Sequence, residues 1–583
     1  MTNIKKFQKY LKKNNFDYYI INRTDEFLNE YISAYAERLK WLTGFTGSAG
    51  RAIISQSSAI LFVDGRYTFQ VKQEINKKDI SIKHINNYWA HLKQIANFNV
   101  KIAVDYKLHS IKEINHLKNI MNKSKSNIVF LKANPIDKLW KNQPKHPNAK
   151  IFNHPIKYAG IDRKIKINKF QAKIKKNKND FYILSSLDSI AWLLNIRGSD
   201  INMTPLAFAN LLIPKNGKLT LFCETNKIEK KLVKKIKPLC NLKKFNDLEK
   251  IFGQIPKGKS ISMDYSNTPY YFKNLSKISS LKVKHLNNPC TVPKAVKNSI
   301  ELKGAKKANI RDGVSVVKFI YWLKNLKNLK KITEIKAANY LLKLRKKNRL
   351  FYSLSFDTIS AAGKNAALPH YRVSKKTDSN LENNNIYLID SGAQYKDGTT
   401  DITRTIILGH ASKEIKDRFT RVLKGHIAIA NHKFKKNTTG AQIDYLARQS
   451  LNEVGCDYDH GTGHGIGSFL NVHEGPQRIA KKTHSNSHQI LDGMIISNEP
   501  GYYKENDYGI RIENLIIVKK IIKNFYFETI SFAPIDIDLI DVKLLNKNEL
   551  MWINNYHSIV FKKLNKFLNL NERIWLKNIT KPL

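Results

Sequence analysis

The stretch from Tyr387 to Asn514 decides the fold, and it contains five short motifs. They read Tyr-Leu-Ile-Asp-Ser-Gly at 387–392, Asp-Gly-Thr-Thr-Asp-Ile-Thr-Arg at 397–404, His-Gly-Thr-Gly-His-Gly-Ile-Gly at 460–467, Ser-Asn-Glu-Pro-Gly-Tyr-Tyr at 497–503 and Gly-Ile-Arg-Ile-Glu-Asn at 509–514. Each motif places an acid or a histidine beside or within an apolar run that is typical of a β-strand. Because an unpaired acid is costly to bury there, we expect a shared counter-charge.

These acids and one histidine form a candidate set of metal ligands. The set is Asp390, Asp401, His464, Glu499 and Glu513. Four carboxylates and one imidazole are hard, oxygen-rich ligands, which suit Mn, Mg, Co or Zn ions rather than a thiolate-bound metal. Four negative charges are too many for one divalent ion and fit two. The sequence therefore predicts a site for two divalent metal ions.

Length and composition indicate a folded protein with more than one domain. The chain has 583 residues, of which 42% are hydrophobic, enough for ordinary cores. Its four cysteines form no Cys-x-x-Cys pair, which is typical of a reducing compartment and argues against a disulfide framework or a zinc knuckle. No apolar run reaches the length of a membrane span, and the first fifteen residues are lysine-rich. We therefore expect a soluble, cytoplasmic protein without a membrane partner.

The formal net charge of +54 raises the question of a nucleic-acid partner. Lysine is spread over the whole chain together with abundant asparagine and isoleucine, which is typical of a genome-wide composition bias. The chain has no dense basic tail and no basic stripe interleaved with aromatic residues. We therefore expect no specific nucleic-acid binding, although non-specific adhesion to polyanions at low salt is consistent with the charge.

The N-terminal half shows one α/β pattern twice. A strand, an apolar helix, a glycine turn and a hairpin follow one another, with the hairpins at Ala52–Ser55 with Ala59–Val63 and at Asn210–Ile213 with Leu219–Phe222. Alternating strands and helices are typical of an α/β layer. The sequence predicts two related α/β domains, at residues 1–153 and 154–295.

The C-terminal half repeats a different pattern, in which two helices precede a sheet. The first half-repeat begins with a long helix at Ser299–Asn325, capped by Asn298 or Ser299. Strands are expected at Ser355–Ala362 and Gly509–Val518, among others. A sheet built from two such halves would bring the four acids to its centre. The tail at Asn546–Leu583 is predicted to be helical, with an apolar face that packs on its own domain or on a second subunit.

In their order and spacing, the motifs resemble the pita-bread-fold metallopeptidase family M24, which includes methionine aminopeptidases, prolidases and aminopeptidases P. The segments Glu37–Gly50, Ser355–Tyr371, Asp390–Thr405 and the tail from Asn554 to Trp575 are similar to the large three-domain Xaa-Pro aminopeptidases. Prolidases lack the repeated N-terminal pair and this tail. The resemblance covers nearly the whole chain and is weakest at residues 70–180 and 225–285.

The resemblance implies a fold of mixed α/β and α+β class. Two creatinase-like α/β domains at 1–153 and 154–295 would precede a pita-bread catalytic domain at 296–530, and a helical extension at 531–583 would pack on the catalytic domain. The family likeness also implies a homodimer.

The same resemblance implies a metal-dependent aminopeptidase, a metallo-exopeptidase that hydrolyses the N-terminal Xaa-Pro bond of peptides through a metal-bridging hydroxide. Its partners would be peptides with proline at the second position. Asp390 would bind one ion, Asp401 and Glu513 would bridge both, and His464 and Glu499 would complete the other. Manganese is the expected metal, with cobalt or zinc as alternatives.

The resemblance also assigns roles to residues around the ligands. Glu499 would pass on the proton, and His370 and His473 would hydrogen-bond the substrate carbonyl and the developing oxyanion. His460 would line the pocket for proline, with Tyr503 packing or hydrogen-bonding nearby. Arg511 and Thr403 would hold the metal ligands.

Several of these roles have structural alternatives. His460 and His473 could serve the fold alone, and Arg38 would contact substrate across a domain interface or form an ordinary ion pair. His484 and His488 lie in a polar loop and are expected to be solvated.

Three other functions fit the same fold. One is a non-catalytic binding module, whose members typically lose several ligands, whereas every ligand type is present here. The others are a prolidase, which cleaves Xaa-Pro dipeptides, and a metal-free creatine hydrolase. Activity on a dipeptide alone would favour the prolidase.

Overall fold

The computed structural model describes residues 2–481 and 488–583. It divides into two compact units. The first comprises Met1–Ile156 and Ile161–Cys290, and the second comprises Lys157–Gly160 and Thr291–Leu583. No helix in the described part of the chain is both long enough and apolar enough to cross a membrane.

The first unit contains two six-stranded sheets of the same topology. One has the spatial order Ser81–His84, Ala59–Val63, Arg51–Ser55, Tyr18–Asn22, Lys101–Asp105, Asn127–Leu131. The other has the order Cys240–Lys243, Leu219–Phe222, Asn210–Pro214, Phe181–Leu184, Ser260–Met263, Lys282–His285. In each, a central strand pairs antiparallel with the hairpin on one side and parallel with the next strand on the other. Both expected hairpins are present, so the repeated pattern in the sequence corresponds to a repeated topology.

Helices cover these sheets. Those of the first unit are Asn3–Lys13, Arg38–Thr43, Gln70–Glu74, Tyr88–Ala96, Ile111–Met121, Pro135–Leu139, Arg163–Lys176, Leu187–Leu194, Lys230–Ile236, Leu248–Gly253 and Tyr270–Ile278. The first of them shows why they form. Thr2 caps its N-terminus by accepting from Lys5 N, and Ile4, Phe7 and Leu11 are buried along one face. The unit also has a short pair, Phe152–Asn153 with Ile196–Arg197, and the helix Ile156–Ala159 lies at the division between the units.

The second unit is organised around a three-stranded and a six-stranded sheet. The first has the order Ile359–Ala362, Asn385–Ser391, Ile402–Leu408, and the second has the order Phe434–Lys435, Asn524–Thr529, Asn514–Ile521, Ile495–Asn498, Gly463–Gly465, Glu474–Ile479. Smaller sheets are formed by Phe351–Leu354, Ala393–Tyr395 and Gly398–Thr399, and by Gly501–Lys504 with Tyr508–Arg511. The helices are Thr291–Ala295, Ser299–Lys324, Glu334–Lys346, Lys413–Asn431, Gly440–Asn452, Lys547–Leu564 and Leu570–Ile579.

The long helix Ser299–Lys324 begins where the sequence predicts. Asn298 accepts hydrogen bonds from Ile300 N and Glu301 N, and the Glu301 carboxylate accepts from Asn298 N. This capping box satisfies backbone groups that have no partner within the helix. Of the two expected caps, Asn298 is therefore the one used.

Two strand predictions are wrong in their extent. Ser355–Ala362 is not one strand, because Ser355 turns away to bond Gly392 O and Thr400 O, and the strand begins at Ile359. The run Gly509–Val518 is broken, because Tyr508–Arg511 pairs with Gly501–Lys504 whereas Asn514–Ile521 pairs with Ile495–Asn498. Apolar residues alternate with polar ones up to Ile512 and run without interruption from Leu515 to Val518, and this pattern alone fits one strand as well as two.

The helical tail packs on its own unit. The Tyr556 hydroxyl accepts from Arg404 Nη2 at 2.8 Å, and His557 Nε2 accepts from Ile535 N at 3.1 Å. Trp575 stands edge-on to Tyr321 of the long helix, with ring centroids 5.7 Å apart. The tail was expected to pack on its own domain or on a second subunit. The buried part of its apolar face packs on its own unit.

Candidate metal centre

Two adjacent antiparallel strands position the two aspartates. Asp390 lies near the end of Asn385–Ser391, directly opposite Thr403 on Ile402–Leu408. Asp401 comes immediately before that second strand. Both aspartates are buried. The residues between them include the paired short strands Ala393–Tyr395 and Gly398–Thr399, after which the chain returns to the same edge.

The two glutamates lie at the equivalent place in the six-stranded sheet. Glu499 follows Ile495–Asn498, Glu513 precedes Asn514–Ile521, and Asn498 pairs with Asn514. Glu513 N donates to Thr403 O at 3.2 Å, which joins this sheet to the strand that carries Thr403. The break in the predicted strand at Ile512–Glu513 therefore turns Glu513 toward the aspartates.

His464 faces these acids from the short strand Gly463–Gly465. The flanking glycines permit the close approach, because a Cβ at Gly463 would lie 2.0 Å from Ser497 O and one at Gly465 would lie 2.1 Å from Glu474 O. His464 Nε2 is 3.5 Å from Asp401 Oδ2 and 3.4 Å from Glu499 Oε1. One ligand atom each of Asp401, His464 and Glu513 all lie within 4.8 Å of one another.

The tautomer of His464 fits a metal ligand. Its Nδ1 lies 3.0 Å from Gly465 O, an acceptor, so this nitrogen carries the proton. In a neutral ring, Nε2 then presents a lone pair to two carboxylate oxygens, which also carry lone pairs. A cation between them removes this conflict, and such backbone orientation of a ring nitrogen is typical of metal-bound histidines.

Neighbouring side chains fix the acids in place. Arg511 Nη2 donates to Asp390 Oδ2 at 2.7 Å, and Thr403 Oγ1 donates to Glu513 Oε2 at 2.7 Å. Ser497 Oγ donates to Glu499 Oε1 at 3.0 Å and accepts from His464 N at 2.9 Å. Both residues that the sequence analysis placed beside the ligands, Arg511 and Thr403, thus contact a ligand.

The buried carboxylates of Asp401, Glu499 and Glu513 need positive charge nearby to stay ionised. Burial, followed by the repulsion of Glu513 and Asp390, raises the pKa of Asp401 well above its ordinary value. Burial likewise raises the pKa of Glu513, where Glu499 and Asp390 add to the effect, and that of Glu499 to about 7. Arg511 opposes the shift at each of these groups without cancelling it. Divalent cations would keep the acids ionised.

Two oxygens of the cluster are available to a cation. Among the described residues, Asp390 Oδ1 and Glu513 Oε1 are buried polar atoms without a hydrogen-bond partner. Such atoms are rare, because leaving them unpaired costs the desolvation of the group. Their partner oxygens are held by Arg511 and Thr403, so the free oxygens are also oriented. The donor set therefore fits divalent metal ions.

A hydrogen-bonded chain connects the metal ligands to His460. Arg511 Nη1 donates to the Tyr503 hydroxyl at 2.6 Å, and this hydroxyl lies 2.8 Å from His460 Nε2. His460 Nδ1 lies 2.9 Å from Gly461 O and so carries the proton, which makes Nε2 the acceptor for Tyr503. Burial raises the pKa of Tyr503 to about 12, so the hydroxyl stays protonated. The structure thus brings both residues to the ligand cluster.

The other two predicted histidines lie in the second unit as well. His473 is half-buried and stands edge-on to His464, with ring centroids 4.3 Å apart. His370 is half-buried in the turn that follows the 3-10 helix Gly363–Ala367. That helix packs on the strand of Arg511, since a Cβ at Gly509 would lie 1.8 Å from Ala366 O.

Arg38 lies in the first unit, where acidic partners engage it. Its Nε and Nη2 donate to Asp137 at 2.7 and 2.9 Å, and Nη2 also donates to Glu26 at 2.7 Å. The ion pair that the sequence analysis offered as an alternative is therefore present. His488 lies at the edge of the described residues with Nδ1 2.8 Å from Gln489 O, and His484 lies outside them.

Several residues that the sequence analysis missed support the site. Thr462, whose carbonyl accepts from Glu499 N at 2.8 Å, donates its hydroxyl to the buried Asp444. Ser497 bonds both Glu499 and His464, and Arg404 donates to Glu513 O at 2.7 Å. The arginine and Ser497 lie within the quoted motifs, so their position was a usable signal. The sequence around Asp444 contains no such signal beyond the spacing of four residues between Asp444 and Arg448 on one helix.

Models of known families match almost the whole chain. The model of metallopeptidase family M24 matches residues 303–520, and that of the C-terminal region of this peptidase group matches 523–583. Two models of the creatinase/prolidase N-terminal domain match residues 3–136 and 142–301. The predicted fold class, with creatinase-like domains before a pita-bread domain, is confirmed.

Individual relatives point to one branch of this family. A probable Xaa-Pro aminopeptidase P of Paracoccidioides brasiliensis is 36% identical over 609 aligned residues, which cover 99% of this chain and 98% of the relative. The crystal structure of X-prolyl aminopeptidase from Caenorhabditis elegans, described as a cytosolic enzyme with a di-nuclear active site, superposes with a TM-score of 0.93 at 29% identity, over 97% of this chain and 95% of that one.

A prolidase-like structure shares less of the chain. The Xaa-Pro dipeptidase of Bacillus anthracis gives a TM-score of 0.53 at 24% identity and covers 64% of this chain and 99% of its own, which shows a common fold alone. The full-length similarity is therefore to the aminopeptidases. This chain belongs to the Xaa-Pro aminopeptidase P family of the M24 metallopeptidases.

Proposed function

We propose that this chain is a metal-dependent aminopeptidase that hydrolyses the N-terminal Xaa-Pro bond of peptides. One observation carries the proposal. Asp401, His464 and Glu513 converge within 4.8 Å, in a chain that aligns end to end with Xaa-Pro aminopeptidases. Asp390 Oδ1 and Glu513 Oε1, which are buried without a hydrogen-bond partner, support the proposal because a bound cation would satisfy them.

The ligand set would hold two divalent ions. We assign Asp390 to one ion, Asp401 and Glu513 to both, and His464 and Glu499 to the other. When bound, two such ions acidify a water nucleophile and polarise the scissile carbonyl. Manganese is our proposed metal, with cobalt or zinc as alternatives, because the set is rich in carboxylates and contains a single imidazole.

Glu499 is the proposed carrier of the proton. Its Oε1 is held by Ser497 Oγ, and its side chain keeps 17% of its surface exposed, whereas Asp401 and Glu513 are buried more deeply. A group that takes a proton from the nucleophile and gives it to the leaving nitrogen must reach the substrate. Among the acidic ligands, Glu499 is best placed to do so.

His473 and His370 are the proposed hydrogen-bond donors to the substrate carbonyl. His473 packs on the metal ligand His464, so its ring lies at the edge of the cluster. A donor placed there stabilises the charge that develops on the carbonyl oxygen. His460, held by Tyr503, is our candidate for the wall of the proline pocket.

The remaining assignments are also proposals. We place the domain boundaries at 153, 295 and 530, supported by the matched family ranges. A homodimer is consistent with exposed apolar side chains on the C-terminal helices, namely Met551, Phe567, Leu570 and Ile574. A cytoplasmic location is consistent with four free cysteines and with the cytosolic Caenorhabditis elegans relative. Arg38 is kept as a possible substrate contact, supported by its family-like segment alone.

The decisive assay is release of free arginine from Arg-Pro-Pro by metal-stripped protein, with Mn²⁺, Co²⁺, Zn²⁺ or Mg²⁺ added back. We expect no turnover without metal and recovery with at least one ion. The dipeptide Arg-Pro, tested beside it, would be cleaved preferentially by a prolidase. Turnover of the dipeptide alone, or of neither peptide under any metal, contradicts the proposal.

A further inference from the structure

Glu474, the residue after His473, is held by two buried lysines. Lys297 Nζ donates to Glu474 Oε1, and Lys294 Nζ lies 2.8 Å from Oε2. The side chains of all three residues are almost fully buried, with at most 3% of their surface exposed. Lys297 Nζ also donates to Lys294 O at 2.8 Å, which ties the two lysines together.

Stabilisation of the fold alone does not account for this buried ion cluster. Three charges are removed from water, and two of them have the same sign. Well-packed apolar side chains at such positions are often as stabilising as a buried ion pair. In some proteins a buried ion cluster instead fixes the register between the segments that meet in it.

The acidic side of the cluster belongs to the hairpin of the active site. Glu474 begins the strand Glu474–Ile479, which pairs with Gly463–Gly465, and Gly465 is directly opposite Glu474. His473 thus leaves the sheet at the point where the ion cluster fixes it. At the other end of the connecting loop, Gln394 Nε2 donates to Leu470 O at 2.7 Å. The loop is therefore held at both ends.

The basic side belongs to the first residues of the second unit. The first unit ends at Cys290, and Lys294 lies on the helix Thr291–Ala295 that follows. Lys297 N donates to Gly493 O at 3.0 Å, and Val296 pairs with Met494 just before the strand that leads to Glu499. The same short segment thus contacts the hairpin of His473 and the strand of Glu499.

We propose that Lys294 and Lys297 are positioning residues that act through Glu474 on His473. They hold the backbone of His473 so that its ring meets the substrate carbonyl, and the segment 291–297 at the start of the second unit is thereby part of the active site. This inference rests on the proposed aminopeptidase function.

The test is a double-mutant cycle between Lys297→Met and His473→Ala. Removing one lysine leaves the other paired with Glu474, so a balanced ion pair remains and the fold is retained. A misplaced ring reduces turnover by about 100-fold. We expect this loss in kcat, with little change in KM and two metal ions still bound per chain. In the His473→Ala background, Lys297→Met should cause no further loss, because the group it positions is absent.

The matched control is Lys227→Met, which removes a buried lysine paired with Asp200 in the first unit and should leave kcat unchanged. If Lys297→Met does not unfold cooperatively, Lys294→Met replaces it in the cycle. If neither variant folds, the ion cluster serves stability and the inference is overturned. Additive losses, or wild-type kcat in the single variant, also overturn it. An inactive wild-type protein instead contradicts the aminopeptidase function, and the inference with it.

Discussion

Thr403 donates a 2.7 Å hydrogen bond from its hydroxyl to Glu513 Oε2 and so joins residues that are 110 positions apart in the chain. The bond occupies one oxygen of the carboxylate, while Oε1 is buried without a hydrogen-bond partner. Thr403 therefore sets which oxygen of Glu513 faces the aspartates. The orientation of the proposed bridging ligand is thus set by a residue outside the proposed ligand set.

Replacing Thr403 by valine should weaken metal binding. The variant keeps the shape of the side chain but removes the donor, so Glu513 loses its orientation. Loss of such a contact typically lowers metal affinity about 10- to 100-fold. Titration of metal-stripped protein with Mn²⁺ by calorimetry measures the change. Thr403→Ser, which keeps the hydroxyl, is the control, and equal affinities in the two variants would show that the bond has no such role.

Replacing Tyr503 by phenylalanine should affect substrate more than metal. The hydroxyl connects Arg511 to His460, and its loss frees the His460 ring without touching a metal ligand. The loss of one hydrogen bond of this type corresponds to about 1 kcal/mol, or about a fivefold rise in KM for Arg-Pro-Pro. Steady-state kinetics and metal content are the measurements. A variant that loses metal while KM stays constant contradicts this assignment.

Glu334 should prove essential for the turn that carries His370. Its buried carboxylate accepts hydrogen bonds from Ala362 N, Asn365 Nδ2, Tyr371 OH and Ser379 N. Truncation to alanine would leave these donors unpaired and lower the free energy of unfolding by about 3 kcal/mol. Glutamine keeps one acceptor oxygen and should lose less. Chemical denaturation compares the two variants, and an alanine variant as stable as the wild type would contradict the account.

The contribution of Asp25 to the stability of the first unit should fall as pH rises. Burial raises the pKa of Asp25 from 3.8 to about 6, even though Asn29 and Phe27 donate hydrogen bonds to it. A folded-state pKa above the unfolded value means that the folded state binds the proton more tightly. The stabilisation is therefore complete below about pH 4 and is lost as pH rises through 6.

Between about pH 4 and pH 6, titration of Asp25 lowers the free energy of unfolding by about 3 kcal/mol. Asp25→Asn removes the titrating group, so the difference in unfolding free energy between variant and wild type should change with pH over this window. Hydrogen exchange of residues 2–290 at pH 4.5 and 7.5 measures it. A difference that does not depend on pH would rule out the raised pKa.

Replacing Glu499 or His464 by alanine should abolish turnover without unfolding the protein. In the proposed mechanism Glu499 carries the proton and His464 supplies the imidazole ligand, so each loss should reduce kcat by at least about 1000-fold. The exposed His410, replaced by alanine, is the matched control and should retain activity. Near-normal activity in either site variant would exclude this site.

The motifs supplied the residues of the candidate site, and the structure brings Asp401, His464 and Glu513 together. The four acidic candidate ligands lie at or beside the end of an apolar strand, so the sequence indicates where Asp390 and Glu499 lie. The break at Ile512–Glu513 was not predicted, because the polar pair Glu513-Asn514 that interrupts the apolar residues there does not show which strands pair on either side of it. A strand ends there because its two halves pair with different neighbours, which is a tertiary effect.

The supporting residues were harder to find for a different reason. Lys297 contacts Glu474 across 177 positions, and it is one of 101 basic residues in a chain where lysine is common everywhere. Nothing in its local sequence distinguishes a buried lysine from a solvated one. Only the fold brings it to the hairpin, so this part of the site became visible in the structure alone.

We expect Asp390, Asp401, His464, Glu499 and Glu513 to bind two divalent ions together. Anomalous X-ray scattering from crystals of the Mn²⁺-loaded protein would locate these ions. It should show two peaks about 3.5–4 Å apart, between Asp401 and Glu513, with His464 and Glu499 on one ion and Asp390 on the other. A single peak, or peaks bound by other residues, would contradict this expectation.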